Sequence, residues 1–189
     1  MGDEKDNFMM AMTVSVLSVI AFVMMLVIPQ VLVGLVYATL IEYLAHWLVL
    51  HKLGVKKGSF FSHHWHGHHR AARLNCFMDG SYLKGFLAWN KHGREFVSVF
   101  LLILVNTLLF WNLAPVFVIS SNVYALAYLY LHRKMHLDAE WGRVKFPWHY
   151  DHHMGNNQNA NWGVLTCVWD VLFNTRIQYK YSHGKATKK

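Results

Sequence analysis

The chain has 189 residues, the length of one domain, and 54% of them are hydrophobic, which sets it apart from ordinary soluble globules. Its formal net charge is +8, yet no nucleic-acid-binding motif accompanies the basic residues; contact with anionic headgroups is the plainer account, and a nucleic-acid partner is not expected. Cys76 and Cys167 have neither CxxC spacing nor a pairing pattern, so a disulfide framework and a cysteine zinc site are excluded and reduced thiols are expected.

In chain order, Phe8 to Ile28 is an uncharged apolar run long enough to cross a hydrocarbon core of about 30 Å as a helix. It follows an acidic segment and lacks a cleavage pattern, so it reads as a permanent span, not a removable signal. A turn is expected at Pro29-Gln30, and a second span over 31–53. The pattern returns with an apolar run over 96–113, a break at Ala114-Pro115 and a further run over 116–136. The fold class expected is therefore an all-α membrane protein. Four transmembrane helices in two hairpins would carry a helical cap built from 54–95 and 137–180, within a single domain covering 1–189. Within that cap, Tyr82, Phe86 and Trp89 suggest an amphipathic helix in the headgroup zone. The tyrosines around Tyr130 suggest an aromatic belt and packing surface. Of the 18 Lys and Arg residues, all but Lys5 fall in 52–94 or from Arg133 onward. If both hairpins return to the side they left, the positive-inside bias puts the cap and both termini in the cytoplasm of a multi-pass protein.

The 14 histidines are grouped. His46 and His51 end the second apolar run, and His132 and His136 end the fourth. Between them "FSHHWHGHHR" holds His63, His64, His66, His68 and His69, and "HYDHH" adds His149, His152 and His153. Pro29 to His46 and Pro115 to His132 are both 17 positions, about 25 Å of helix, which puts the two rings at matching depth near one membrane face. On regular helices His132 and His136 share a face, as do His64 and His68, and His149, His152 and His153 form one stripe. His69 and His66 lie well round from His64. His46 and His51, five apart, cannot both point the same way from a regular turn. A neutral imidazole offers one lone pair to a metal, and a site needs several converging from different elements. Ten or more rings exceed what one ion can hold, so two metals are the natural count. A lone histidine such as His92 or His183 is better read as an interfacial or hydrogen-bonded residue. Near-membrane ionisable groups such as Glu42 and His46 are functional candidates.

"HWLVLH", "HHWHGHH", "HRKMH" and "HYDHH", followed by "NNQNANWGVLTCVWDVLFNT", resemble the fatty acid hydroxylase and sterol desaturase superfamily over about residues 40 to 176. Trp162-Gly163-Val164 and Trp169-Asp170 through Thr175 match the family's ending, with Asn174 in the usual glycine position. Trp65 stands where the second motif normally has a histidine; His64 is the natural substitute at H-x3-HH spacing, and His63 or His66 could serve instead.

The resemblance implies an integral-membrane non-haem enzyme with two iron ions, ligated by His46, His51, His64, His68, His69, His132, His136, His149, His152 and His153. Asp151, Asn157 and Asp170 are candidates to orient rings, and no catalytic group beyond the ligands is implied. The substrate would be a lipid of fatty acyl, sterol or carotenoid type, hydroxylated or desaturated with O2. Electrons would come from an external donor such as cytochrome b5 or ferredoxin, since no fused haem motif is present. Imidazole ligation alone suits Fe, Zn or Cu, so zinc is a possible occupant. A non-redox membrane zinc-binding or metal-handling protein, and a bis-histidine haem carrier, stay open beside the oxygenase.

Overall fold

A computed structural model describes residues 2–85, 88, 90–182 and 185–188. The chain is mostly helical. Helix α1 runs Gly2–Leu44 and passes without a turn into a π-helical segment, Ala45–Leu53. A second π-helical segment, His63–His69, leads into α2 (Arg70–Leu74) and a 3₁₀ turn, Gly80–Leu83. Then come α3 (Lys91–Phe110), α4 (Pro115–Leu137), α5 (Ala139–Lys145), α6 (Pro147–Met154) and α7 (Val168–Leu172). An antiparallel β-hairpin ends the chain, with β1 (Tyr179–Ser182) paired to β2 (Lys185–Lys188) so that Tyr179 faces Lys188.

The turn expected at Pro29-Gln30 is absent: Pro29 lies inside α1. In a helix, proline removes one backbone donor, and the ladder closes again on either side of it, with Gln30 Nε2 donating to Leu26 O (3.3 Å) in the same turn. The second pair does form a hairpin. Its break falls at 111–114, and Pro115 opens α4 at a position where a missing N–H costs nothing. Two helical stretches, Met12–Leu53 and Lys91–Phe110, are long and apolar enough to cross a membrane. Helix α4 carries Ser120, Ser121 and Asn122 and is less apolar. The fold also departs from all-α through its terminal hairpin. Where an amphipathic helix was expected after Tyr82, the described residues hold only the 3₁₀ turn; Phe86 and Trp89 lie outside them, as does His183.

Helix α1 divides into two parts. Met9 through Ile28 exposes its large apolar side chains in every direction. From Gly34 onward it packs on α4: a Cβ at Gly34 would come 2.7 Å from the carbonyl oxygen of Phe117, so only glycine lets the backbones approach this closely. Tyr43, at the end of α1, is fully buried and its hydroxyl lies 3.1 Å from Thr175 Oγ1. The cap's core gathers Phe77, Tyr128, Leu129, Met135 and Val164. The tyrosines of α4 divide between these environments: Tyr128 is buried, Tyr124 faces a cavity, and Tyr130 is exposed.

Candidate metal centre

The two π-helical segments explain how the first two histidine motifs work. A π-helix bonds residue i to i+5, as Gly54 N donating to Val49 O shows, and thereby brings side chains five apart onto one face. His46 and His51, which a regular helix would splay, have ring centroids 4.9 Å apart. The same device pairs His64 with His69, whose Nε2 atoms are 3.2 Å apart, and sends His68 elsewhere. This overturns the expectation that His64 and His68 act from one face. The stripe of α6 also divides, with His152 turned to one group of rings and His149 and His153 to the other.

Two clusters result. His46, His51, His64, His69 and His152 form the first, and His68, His132, His136 and His153 the second; within each, one nitrogen from every ring lies within 4.8 Å of the rest. His149 joins the second cluster, its Nε2 3.1 Å from that of His136. All ten rings are buried. His63 stays outside both, its Nδ1 donating to Phe60 O, and His66 is exposed, with Nε2 2.8 Å from Val55 O.

What stands behind the rings fixes their tautomers. His46 Nδ1 donates to Trp162 O (2.6 Å), His152 Nδ1 to Ala160 O (2.7 Å) and His136 Nδ1 to Phe77 O (2.7 Å). His68 Nδ1 donates to Asp79 Oδ2 (3.0 Å) and His132 Nδ1 to Glu95 Oε1 (2.5 Å). With the proton held on Nδ1, each Nε2 presents a lone pair. His46 Nε2 lies 3.1 Å from His64 Nε2, and His152 Nε2 lies 3.1 Å from both His51 Nε2 and His69 Nε2, so each of these lone pairs meets the nitrogen of another ring. Nitrogens about 2.1 Å from a shared ion and roughly at right angles lie about 3 Å apart, so the donor set fits a metal. Nε2 of His68, of His132 and of His153 has no hydrogen-bond partner, as expected of ligand atoms. Burial pushes the rings of His64, His68, His69, His149, His152 and His153 well below the ordinary imidazole range, and the neighbouring rings push them further. They are therefore neutral, the form a metal requires.

The supporting backbone is unusual in the right places. Cys76 and Phe77 both adopt left-handed conformations, φ 53° and 79°, which non-glycine residues rarely adopt, and this turn aims the Phe77 carbonyl at His136. Asn161, φ 58°, sits between the two carbonyls that hold His152 and His46, and its side-chain amide donates to Ile177 O. Asp170 accepts from the backbone of Trp162 (2.7 Å) and Gly163 (2.8 Å), so it acts on His46 through the loop without touching a ring. Arg73 donates to the carbonyls of His153 and Gly155 and so caps the C-terminus of α6 with positive charge.

Asp151 binds Arg176 (2.9 Å) and Tyr181 (2.8 Å), tying the terminal hairpin to α6, and contacts no ring. Asn157 Oδ1 accepts from Asn159 N; the neighbouring Gln158 is the one whose amide reaches His69 Nδ1, at 2.9 Å. Glu42 accepts from the backbone of Val164 and Leu165 and from Tyr124, and so clasps the same loop to α1. Four participants escaped the reading of the sequence: Asp79, Glu95, Phe77 and Gln158. Of these Glu95 left a signal, as the last charged residue before an uncharged run of helix.

A cavity of about 630 Å³ opens beside the rings, between α1, α3, α4 and the π-helical segments. His46, His64 and His68 line one end, Asn106, Ser121 and Asn122 belong to the other, and aliphatic residues such as Leu102 and Ile103 fill the wall between. That volume and lining suit a small apolar ligand.

Compared with known protein families, curated proteins and solved structures, the chain matches none.

Proposed function

We propose that the chain is a membrane-embedded, O2-dependent oxidase of lipid C–H bonds, holding two irons in its paired imidazole clusters and drawing electrons from an external donor. The observation that carries this is the placement of ten buried histidines, five of them tethered through Nδ1, beside an apolar cavity among apolar helices. Iron rests on the motif resemblance. For hydroxylation the balance is R–H + O2 + 2 e⁻ + 2 H⁺ → R–OH + H2O; for desaturation a second hydrogen leaves and no oxygen stays in the lipid.

Bound iron would supply the activation of O2 by external electrons; the protein's own part is positioning. The tethered rings hold their lone pairs in place before any metal arrives, which lowers the cost of binding it. Trp162 and Trp65 lie against His51 at ring separations of 4.7 and 5.0 Å and shut water away from the first cluster. The aliphatic cavity wall orients a hydrocarbon so that one carbon lies beside His64 and His68. Tyr82 donates to Glu95 Oε2 at 2.7 Å and so steadies the carboxylate that orients His132.

What supports the embedding is α1, whose exposed large side chains from Met9 to Ile28 are apolar all round, as on a helix surrounded by lipid. At about 65 Å, α1 is twice the hydrocarbon thickness, so as one continuous helix it crosses once, tilted or projecting beyond the bilayer. A single crossing puts the start of α1 on the face opposite the basic cap. Labelling of single cysteines placed before Phe8 and in the 111–114 turn tests this: both should react from the side opposite the cap.

The full chain, purified with its metal, should contain about two irons and consume O2 when supplied with reductant and lipid, the product gaining one oxygen or losing two hydrogens. All-imidazole ligation also suits zinc, so a preparation that keeps zinc, lacks iron and consumes no O2 would establish the non-redox metal-binding reading instead.

A further inference from the structure

The far end of the cavity has its own chemistry. Ser121 Oγ donates its proton to Val118 O (3.1 Å) and Thr107 Oγ1 donates to Ile103 O (2.8 Å), so both hydroxyl oxygens are left only with lone pairs. Those lone pairs are met by amides: Asn106 Nδ2 donates to Ser121 Oγ (2.9 Å) and to Asn122 Oδ1 (2.9 Å), while Asn122 Nδ2 donates to Thr107 Oγ1 (2.9 Å). In this arrangement both hydrogens of the Asn106 amide are used, and Oδ1 is left buried with no donor. Asn106 is only 5% exposed and lines the cavity, and the neighbouring Leu102, Ile103 and Val105 offer no side-chain donor. A buried amide oxygen without a donor is rare, and here the missing group has room to arrive through the cavity.

We infer that Asn106 receives a hydroxyl: the lipid taken into this cavity carries an O–H donor at the end remote from the histidines. From Glu95, beside His132, to Asn106 is 11 residues of α3, about 16 Å of helix rise, so the held hydroxyl and the carbon presented to the histidines are separated by a distance on that order. The end group is a hydroxyl and not a carboxylate. An ionised acid has no proton to give, and the one lysine among the lining residues, Lys91, sits at the opposite end, bound to Asp79 at 3.0 Å. The position of reaction rests on the oxygenase reading; the preference for a hydroxyl does not.

The test is displacement of a radiolabelled long-chain primary alcohol from the full-length protein in detergent by the unlabelled alcohol, the alkane and the carboxylic acid of the same chain length. The alcohol should displace about tenfold more effectively than the alkane, with the acid no better than the alkane. Asn106→Leu should bring the alcohol down to the alkane while leaving alkane binding intact, which also reports an intact cavity. Equal displacement by alcohol and alkane overturns the inference, as does a hydroxyl preference that survives Asn106→Leu. Should that variant fail to fold, the alcohol-to-alkane ratio of the unaltered protein decides alone. Failure of the oxygenase reading looks different: the hydroxyl preference stays and O2 uptake is missing.

Discussion

The two imidazole clusters are built from the same ligand type, and both draw on the second π-helical segment and on α6, yet different groups stand behind them. Two rings of the first, His46 and His152, are tethered by neutral backbone carbonyls. In the second, His68 leans on the Asp79 carboxylate and His132 on that of Glu95. A carboxylate pulls the Nδ1 proton harder than a carbonyl and makes the opposite nitrogen a stronger donor. Asp79 shares its charge with Lys91, and Glu95 also accepts from Tyr82 and Tyr128, so neither carboxylate is left unpaired. Rings that a sequence counts as equivalent are thus made unequal by residues far away in the chain, and the second cluster is expected to hold a cation the more tightly.

The harshest way to break this comparison is to remove one ring from each half. His152→Ala and His136→Ala should each halve the metal content, from about two ions to one, and abolish turnover. Elemental analysis beside circular dichroism checks both, and a variant that keeps two ions would show that its ring is no ligand. Next in size are Asp79→Asn and Glu95→Gln. Each should weaken the second cluster's hold on metal by about 10- to 100-fold in competition with a chelator, leaving the first cluster's affinity unchanged. An equal loss at both clusters would mean that the carboxylates serve the fold as a whole and not one half of the site.

A smaller effect is expected on the carbonyl-backed side. Asp170→Asn keeps the size of the side chain but weakens its acceptance from Trp162 and Gly163, which lets the loop and its carbonyl drift from His46. The first cluster's metal affinity should fall a few-fold while the second keeps its own. The same chelator competition reads it, and a change confined to the second cluster would reverse the assignment.

The histidine motifs were legible because so many imidazoles grouped in separated segments have no explanation in an ordinary helix, and the structure does bring them into two buried clusters. Their division into two clusters was not legible. It depends on π-helical winding in 45–53 and 63–69, where i to i+5 bonding replaces the period that any reading of helix faces assumes. Asp79 and Phe77 lie in a loop whose path is set by left-handed residues that no local propensity favours, so their partnership with His68 and His136 could not be read from spacing. The hairpin of α3 and α4 showed in the proline that opens α4. Its counterpart in α1 did not form: Pro29 lies inside a continuous helix, since proline interrupts one backbone bond without by itself forcing a turn.

The smallest effect tests that winding directly. His63 and His66 flank His64, and on spacing alone either could have stood in for the histidine displaced by Trp65. The π-helical register turns His63 toward Phe60 O and leaves His66 at the surface, while His64 alone reaches both His46 and His69. His66→Ala should leave metal content and affinity unchanged. His63→Ala, which alters the cavity wall, should shift lipid affinity by less than about threefold and metal affinity not at all. If either variant loses an ion while His64→Ala keeps both, the segment winds as a regular helix in the working protein, and the pairing of His64 with His69 that defines the first cluster is wrong.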